Sequence, residues 1–268
     1  MYTLFLPVDL PSEHGFCGGN APAEIAPGLH ICCRDPDDAA FPDAFANCLD
    51  LKVSGFASAE EAGAMLPRLR AAVRCASLDL GHGFRPSMAD AGVPTFNIFD
   101  GGTPHIYPTA LNPGVSRATA HVRADEHISK LARSLSVFLA DGAVERMAAE
   151  PELAAAVRLY SEADFAGGYA ARMVVLMSAI EVLVPRQSTG KRNHIIRLVK
   201  AAATSTPGTD AKAVGRELDR LYEVRNALLH EGADVQVGDV TELDRIVRLT
   251  LRARLAGLEP RTRPAASS

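Results

Sequence analysis

The stretch Leu218-Asp-Arg-Leu-Tyr-Glu-Val-Arg-Asn-Ala-Leu-Leu-His-Glu-Gly232 decides how the second half of the chain folds. Leu218, Leu221, Tyr222 and Leu229 recur at the three- and four-residue steps of an apolar helix face, and Gly232 is a stop signal, so the spacing predicts a helix over residues 210–230. Arg225 interrupts that face between Leu221 and Leu229. A guanidinium in such a place is costly unless it is paired or reaches a water-filled cleft. Asn226 and His230 stand four apart and share one side of the helix. Arg225 and His230 stand five apart, which is about 140° round an ideal helix. They converge only through the length of the arginine, through the helix end, or through a partner subunit.

The same texture extends outward from this stretch. Residues 125–139 place His127, Ile128, Leu131, Leu135 and Phe138 on one side, with Gly142 as the stop. Pro151 opens a helix over residues 150–160 at the position where proline is best tolerated. Residues 164–184 are the longest apolar segment: Ala170, Met173, Val174, Met177, Ile180 and Val184 share a broad face with Glu181, and Pro185 ends it. A short helix over 191–202 carries Ile195, Ile196 and Val199, a Ser/Thr/Pro/Gly linker follows, and a last helix is expected over 240–255. Consecutive helices with short links predict a bundle.

The first half reads differently. Residues 2–8, 29–33, 51–56, 95–99 and 118–122 are strand candidates between Gly-, Pro- and Asp-rich turns. Between them, residues 58–75 form a helix signature, with Ser58 as N-cap and Glu61 three residues on. The expected organisation is an α+β domain over 1–122, a helical domain over 123–258 and a flexible tail over 259–268.

Composition narrows the classes. Apolar content rests on Ala, Leu and Val with no Trp, which suits helices with small contact residues. No secretory signal opens the chain and no apolar run approaches the length of a membrane helix, so a cytoplasmic, non-membrane protein is expected. Five cysteines, Cys17, Cys32, Cys33, Cys48 and Cys75, crowd the first third. Their odd number and the adjacency of Cys32 and Cys33 favour unbridged thiols over a zinc site, although His14 and His30 lie close in sequence. No metal or cofactor is expected. Residues 1–126 hold 8 basic and 15 acidic side chains, and residues 127–268 hold 20 and 17. Phosphate contact needs local positive charge, so any nucleic-acid surface belongs to the second half.

Four further segments accompany the Arg225–His230 motif in order: Arg158-Leu-Tyr160, Arg172, Ser178-Ala-Ile-Glu181 and Gly190-Lys-Arg192. Together with Tyr222–Gly232 they resemble the Apea-like branch of the HEPN family, over residues 123–258. The resemblance implies a homodimeric helical bundle whose two motifs face each other and, in active members, cleave RNA without metal. Carried over, Arg225 would bind the phosphate, His230 would move protons, Asn226 would orient His230 or donate to phosphate, and Glu181 would orient Arg225 or assist proton transfer. Lys191, Arg192, His194 and Arg197 form a basic group beside that site which would track an RNA backbone. His121, Arg123, His127 and Lys130 rank lower, as a solvated hinge surface. Two functions compete. One is an endoribonuclease in defence or stress response. The other is a non-catalytic RNA- or protein-binding module coupled to an α+β sensor domain that reads an unidentified trigger. The bland roles are an Arg225–Glu181 ion pair that supports the fold, and His230 as a cation at a helix end.

Overall fold

The structure, a computed structural model, describes residues 2–9, 22–33, 49–81, 85–86, 97–100, 103–106, 124–140, 142–185 and 190–258. It is a two-domain chain, α+β followed by an all-α bundle, and its compact units are Met1–Val144 and Glu145–Ser268. The expected strand at 118–122, together with Cys17, Cys48, His14, His121 and Arg123, lies outside the described residues.

The first unit contains an antiparallel sheet. Among the described residues its strands are β1 (Tyr2–Asp9), β2 (Ala23–Ala26), β3 (Leu29–Cys33), β4 (Leu49–Phe56), β5 (Arg85–Pro86), β6 (Asn97–Asp100) and β7 (Thr103–Ile106), in the order β2-β3-β4-β1-β6-β7. Strand β5 pairs with the end of β1, Val8 opposite Pro86. Leu4, Leu6 and Val8 alternate into the core, as do Leu29 and Ile31. Val53 and Phe56 are both buried although three apart, because the β1–β4 register shifts where Tyr2 faces Phe56 and Thr3 faces Ser54. Gly55 makes that irregularity possible: its φ is 118°, and a Cβ there would lie 2.0 Å from the Gly28 carbonyl oxygen.

Two helices, α1 (Ala59–Leu80) and α2 (Ala124–Ala140), pack against each other and against this sheet. Ser58 caps α1 by accepting the Glu61 N–H at 3.1 Å, and the Glu61 carboxylate accepts the Ala57 N–H at 2.7 Å. The helix passes the expected end at Cys75 and runs to Leu80, where Gly81 adopts a φ of 77°. The Ser134 hydroxyl donates to Asp79 at 2.7 Å and fastens α2 to α1. Sequence reading draws the domain boundary at 122/123, ahead of α2; the compact units divide after Val144, because α2 buries Leu131 and Leu135 in the first unit. Neither Cys32 nor Cys75 is in a disulfide, and burial pushes the Cys75 thiol up to about 12, far from the reactive thiolate.

A short helix, α3 (Ala143–Ala149), which periodicity does not announce, leads into the second unit. That unit is α4 (Pro151–Ala163), α5 (Gly168–Glu181), α6 (Lys191–Thr204), α7 (Ala211–Glu231) and α8 (Val237–Leu255). Helix α8 packs on each of the other four. Met173, Ile180, Ile195, Val199, Leu218 and Leu221 are buried on the apolar faces expected from spacing, and Leu243 and Val247 of α8 are buried as well. Asp210 caps α7 through hydrogen bonds from the Lys212 and Ala213 N–H groups at 2.8 and 3.1 Å, and Gly232 closes it at φ 67°. No helix among the described residues is long and apolar enough to cross a membrane.

Helix α5 starts at Gly168 rather than at 164, and Asp164 instead ends α4. There it joins a polar cluster that anchors α5. Arg172 lies 2.7 Å from Asp164 and 3.4 Å from Asp244, and Arg248 lies 3.8 Å from the other Asp244 oxygen. Buried Tyr160 sits against the same carboxylate. Burial raises the pKa of Asp244 despite Arg172 and Arg248, with Asp164 adding to the rise.

The folded chain therefore binds this proton more tightly than the unfolded chain does. The contribution of Asp244 to stability grows as pH falls from neutrality toward the ordinary carboxylate range near about 4, and is least above the raised value. Urea unfolding of wild type and Asp244→Asn is expected to show wild type gaining on the variant as pH falls from neutrality into the ordinary carboxylate range. Wild type losing ground over that interval would mean that the two arginines, not burial, control Asp244.

Candidate functional site around Glu181 and Arg225

Glu181 is the last residue of α5 and Lys191 the first of α6. Each stands at the wrong end of its helix: the macrodipole disfavours an anion at a C-terminus and a cation at an N-terminus. The two are set against each other, with Lys191 Nζ 3.6 Å from Glu181 Oε2. The other carboxylate oxygen, Oε1, faces Arg225 Nη2 of α7 at 3.7 Å. One carboxylate thus joins three helices. Its side chain is 20 % exposed and that of Arg225 is 26 % exposed. The Arg225 interruption of the apolar face is resolved by a partner and by partial access to water together.

Arg225 Nη1 also donates to Asn226 Oδ1 at 3.3 Å, so three of the four expected catalytic residues form one connected group. His230 does not join it. It lies exposed in the last turn of α7, and among the described residues no hydrogen bond or ion pair links it to Glu181, Arg225 or Asn226. Leu229 beside it is 49 % exposed and so does not continue the apolar face, and Val237 beyond the α7–α8 turn is exposed as well.

The basic group over 191–197 is divided by the structure. Arg192 is committed to α7: its Nε donates to Asp219 Oδ1 at 2.7 Å, its Nη2 to the Asp219 carbonyl at 2.9 Å, and its Nη1 to Glu223. Its guanidinium also lies 5.5 Å from the centre of the Tyr222 ring. Two carboxylates match the charge of Arg192, which is a fastening between helices rather than an open phosphate contact. Arg197 is exposed and donates to the Asn193 carbonyl at 3.3 Å, and His194 is half-buried.

Tyr222 is the residue that sequence reading placed in the apolar face and that the structure adds to the site. It is buried, and burial together with the Glu181 charge beside it raises the pKa of its phenol. Its hydroxyl faces Glu181 without a well-formed hydrogen bond, and among the described residues Arg225 Nε makes none. Asp219 and Glu223, four apart on α7, were a legible sign that a cation docks there; which cation was not legible. Among the described residues no three His, Cys, Asp or Glu side chains gather to hold a metal. No family model matches the chain, and no curated protein or solved structure does either.

Because water reaches both partners, Arg225→Ala is expected to cost about 1–2 kcal/mol, below the loss for a sealed pair. His230→Ala, at a position that is exposed and has no partner among the described residues, is expected to cost no more than about 0.5 kcal/mol through the helix end. Urea unfolding of the two variants measures this order; the reverse order would place His230, not Arg225, in the structural role.

Proposed function

We propose that the second unit is a homodimeric, metal-independent endoribonuclease of the HEPN type, with Arg225, Asn226, His230 and Glu181 as its functional residues. The observation that carries this is the contrast within one helix: Arg225 and Asn226 are linked to each other, and Arg225 to Glu181, while His230, four residues beyond Asn226, stays open to solvent. A guanidinium matches phosphate oxygens, and imidazole is the side chain best suited to move protons near neutral pH. In the proposed reaction the 2′-hydroxyl of RNA attacks the adjacent phosphodiester, giving a 2′,3′-cyclic phosphate and a 5′-hydroxyl. His230 handles a proton, Arg225 stabilises the phosphate charge, and Asn226 and Glu181 hold Arg225. The nucleophile belongs to the substrate, so the scheme needs no activated water. His230 stands apart from Arg225 in one chain, which is why a second copy is part of the proposal; exposed Leu229 and Val237 lie on the same end of the unit. Of the basic group, His194 and Arg197 are the backbone contacts proposed for RNA, with Lys191 paired to Glu181. The first unit would read a trigger, and defence or stress response would be the setting, in the cytoplasm.

A second reading is supported by the Arg192 fastening and by the pairing of Arg225 with Glu181. In it, the unit is a non-catalytic RNA- or protein-binding module.

Purified dimer, verified by sedimentation, incubated with mixed RNA in chelator separates the two. Cleavage to cyclic-phosphate ends is expected for wild type, with a loss of at least about 100-fold in His230→Ala and Arg225→Lys. Equal cleavage by wild type and both folded variants would remove the catalytic assignment, and intact RNA throughout would favour the binding module.

A further inference from the structure

We propose that Glu181 is an internal counter-anion which occupies Arg225 until a ligand phosphate displaces it, and that Lys191 keeps Glu181 paired during the exchange. The inference rests on the phosphate-binding role proposed above for Arg225, and adds to it the group that regulates access to that guanidinium.

The carboxylate of Glu181 divides its oxygens between the two cations: Oε1 faces Arg225 at 3.7 Å and Oε2 faces Lys191 at 3.6 Å. Both separations exceed the roughly 2.7–2.9 Å of a charge-assisted hydrogen bond. They are ion pairs of charge and proximity, open to exchange. Two positive charges meet one negative charge, whereas the neighbouring Arg192 is already matched by Asp219 and Glu223. The surplus at this end of the bundle therefore lies on Lys191 and Arg225.

Two donors at the same place are incompletely used. Among the described residues Arg225 Nε is buried and makes no hydrogen bond, and the buried Tyr222 hydroxyl faces Glu181 without a well-formed one. Buried donors are normally satisfied, and Tyr222 is only 5 % exposed. Arg192 against its ring, itself tied to Asp219 and Glu223, holds Tyr222 in place independently of Glu181. A surplus of charge, the unused Arg225 Nε and a Tyr222 hydroxyl that Glu181 holds only loosely make room for one more anionic oxygen. When a phosphate oxygen takes Arg225, Glu181 would be left half-buried and unpaired if Arg225 were its sole partner, which is costly. Lys191, on a different helix, removes that cost. The exchange is a change of partners with no covalent step.

The test uses two probes, inorganic phosphate and a 2′-O-methyl RNA oligonucleotide, which lacks the attacking hydroxyl and is not consumed. Calorimetric binding to the full chain is compared among wild type, Arg225→Gln, Glu181→Gln, Lys191→Gln and the Glu181→Gln/Lys191→Gln double variant, each checked for fold by circular dichroism. Arg225→Lys stands in if Arg225→Gln does not fold, with weakened binding expected. Arg225→Gln is expected to lose binding, and Glu181→Gln to bind about five- to tenfold more tightly, the size of a modest coupling. Lys191→Gln is expected to bind more weakly than wild type, and that weakening to largely disappear in the double variant. Equal weakening in both backgrounds would make Lys191 a direct phosphate ligand and overturn its part in the exchange. Oligonucleotide binding that depends on Arg225 but is unchanged or weaker in Glu181→Gln would overturn the counter-anion proposal and leave the RNA reading standing. Phosphate binding in the expected order without oligonucleotide binding would support the exchange and remove RNA as the ligand. Binding of neither probe by any variant would overturn both.

Discussion

A single carboxylate at the wrong end of a helix is the constraint on which the second unit turns. Glu181 ends α5, where the backbone carbonyls already concentrate negative charge. Lys191 opens α6, where the N–H groups concentrate positive charge. Neither position is favourable alone. Together they cancel each other's penalty, and the remaining oxygen of Glu181 takes in Arg225, a charge that the apolar face of α7 would otherwise reject. The geometry of the site follows from this sharing. It needs α5, α6 and α7 to meet at one end, and the polar cluster of Asp164, Arg172, Asp244 and Arg248 holds α5 from its other end.

The same arrangement separates two kinds of cation. Arg192 is saturated by Asp219 and Glu223 and stacks on Tyr222, so its contribution is mechanical: it sets the distance between α6 and α7. Lys191 and Arg225 share one counter-charge between them and retain capacity for another anion. Adjacent residues in sequence, Lys191 and Arg192, therefore do different work. The difference comes from what α7 presents to each of them rather than from the residues themselves.

Much of this was legible in the sequence, because periodicity reports which face of a helix is buried. The bundle, the cap at Ser58, the stop at Gly232 and the inward direction of both Glu181 and Arg225 all follow from spacing and residue type. What periodicity does not report is which element covers that face. The docking of Arg192 on α7 and the return of Lys191 to Glu181 are therefore visible only in three dimensions, as is the presence of α2 in the first unit. The apolar run over 164–184 concealed a turn at residues 164–167, since alanine and phenylalanine there look helical until Gly167 and Gly168 are weighed. In the sheet, the register shift opposite Gly55 broke the alternation that strand spacing relies on. Leu229 matched the helical spacing yet is exposed, because nothing among the described residues of its own unit covers it.

The coupling between Glu181 and Arg225 is the quantity closest to the centre of this account. A double-mutant cycle with Glu181→Gln and Arg225→Gln, singly and together, measured by urea unfolding at low salt, isolates it. Sharing of one half-buried carboxylate predicts that the two changes are non-additive by about 0.5–2 kcal/mol, with the double variant less destabilised than the sum of the singles. Additivity to within about 0.3 kcal/mol would show that the two side chains stand near each other without interacting, and would contradict the account.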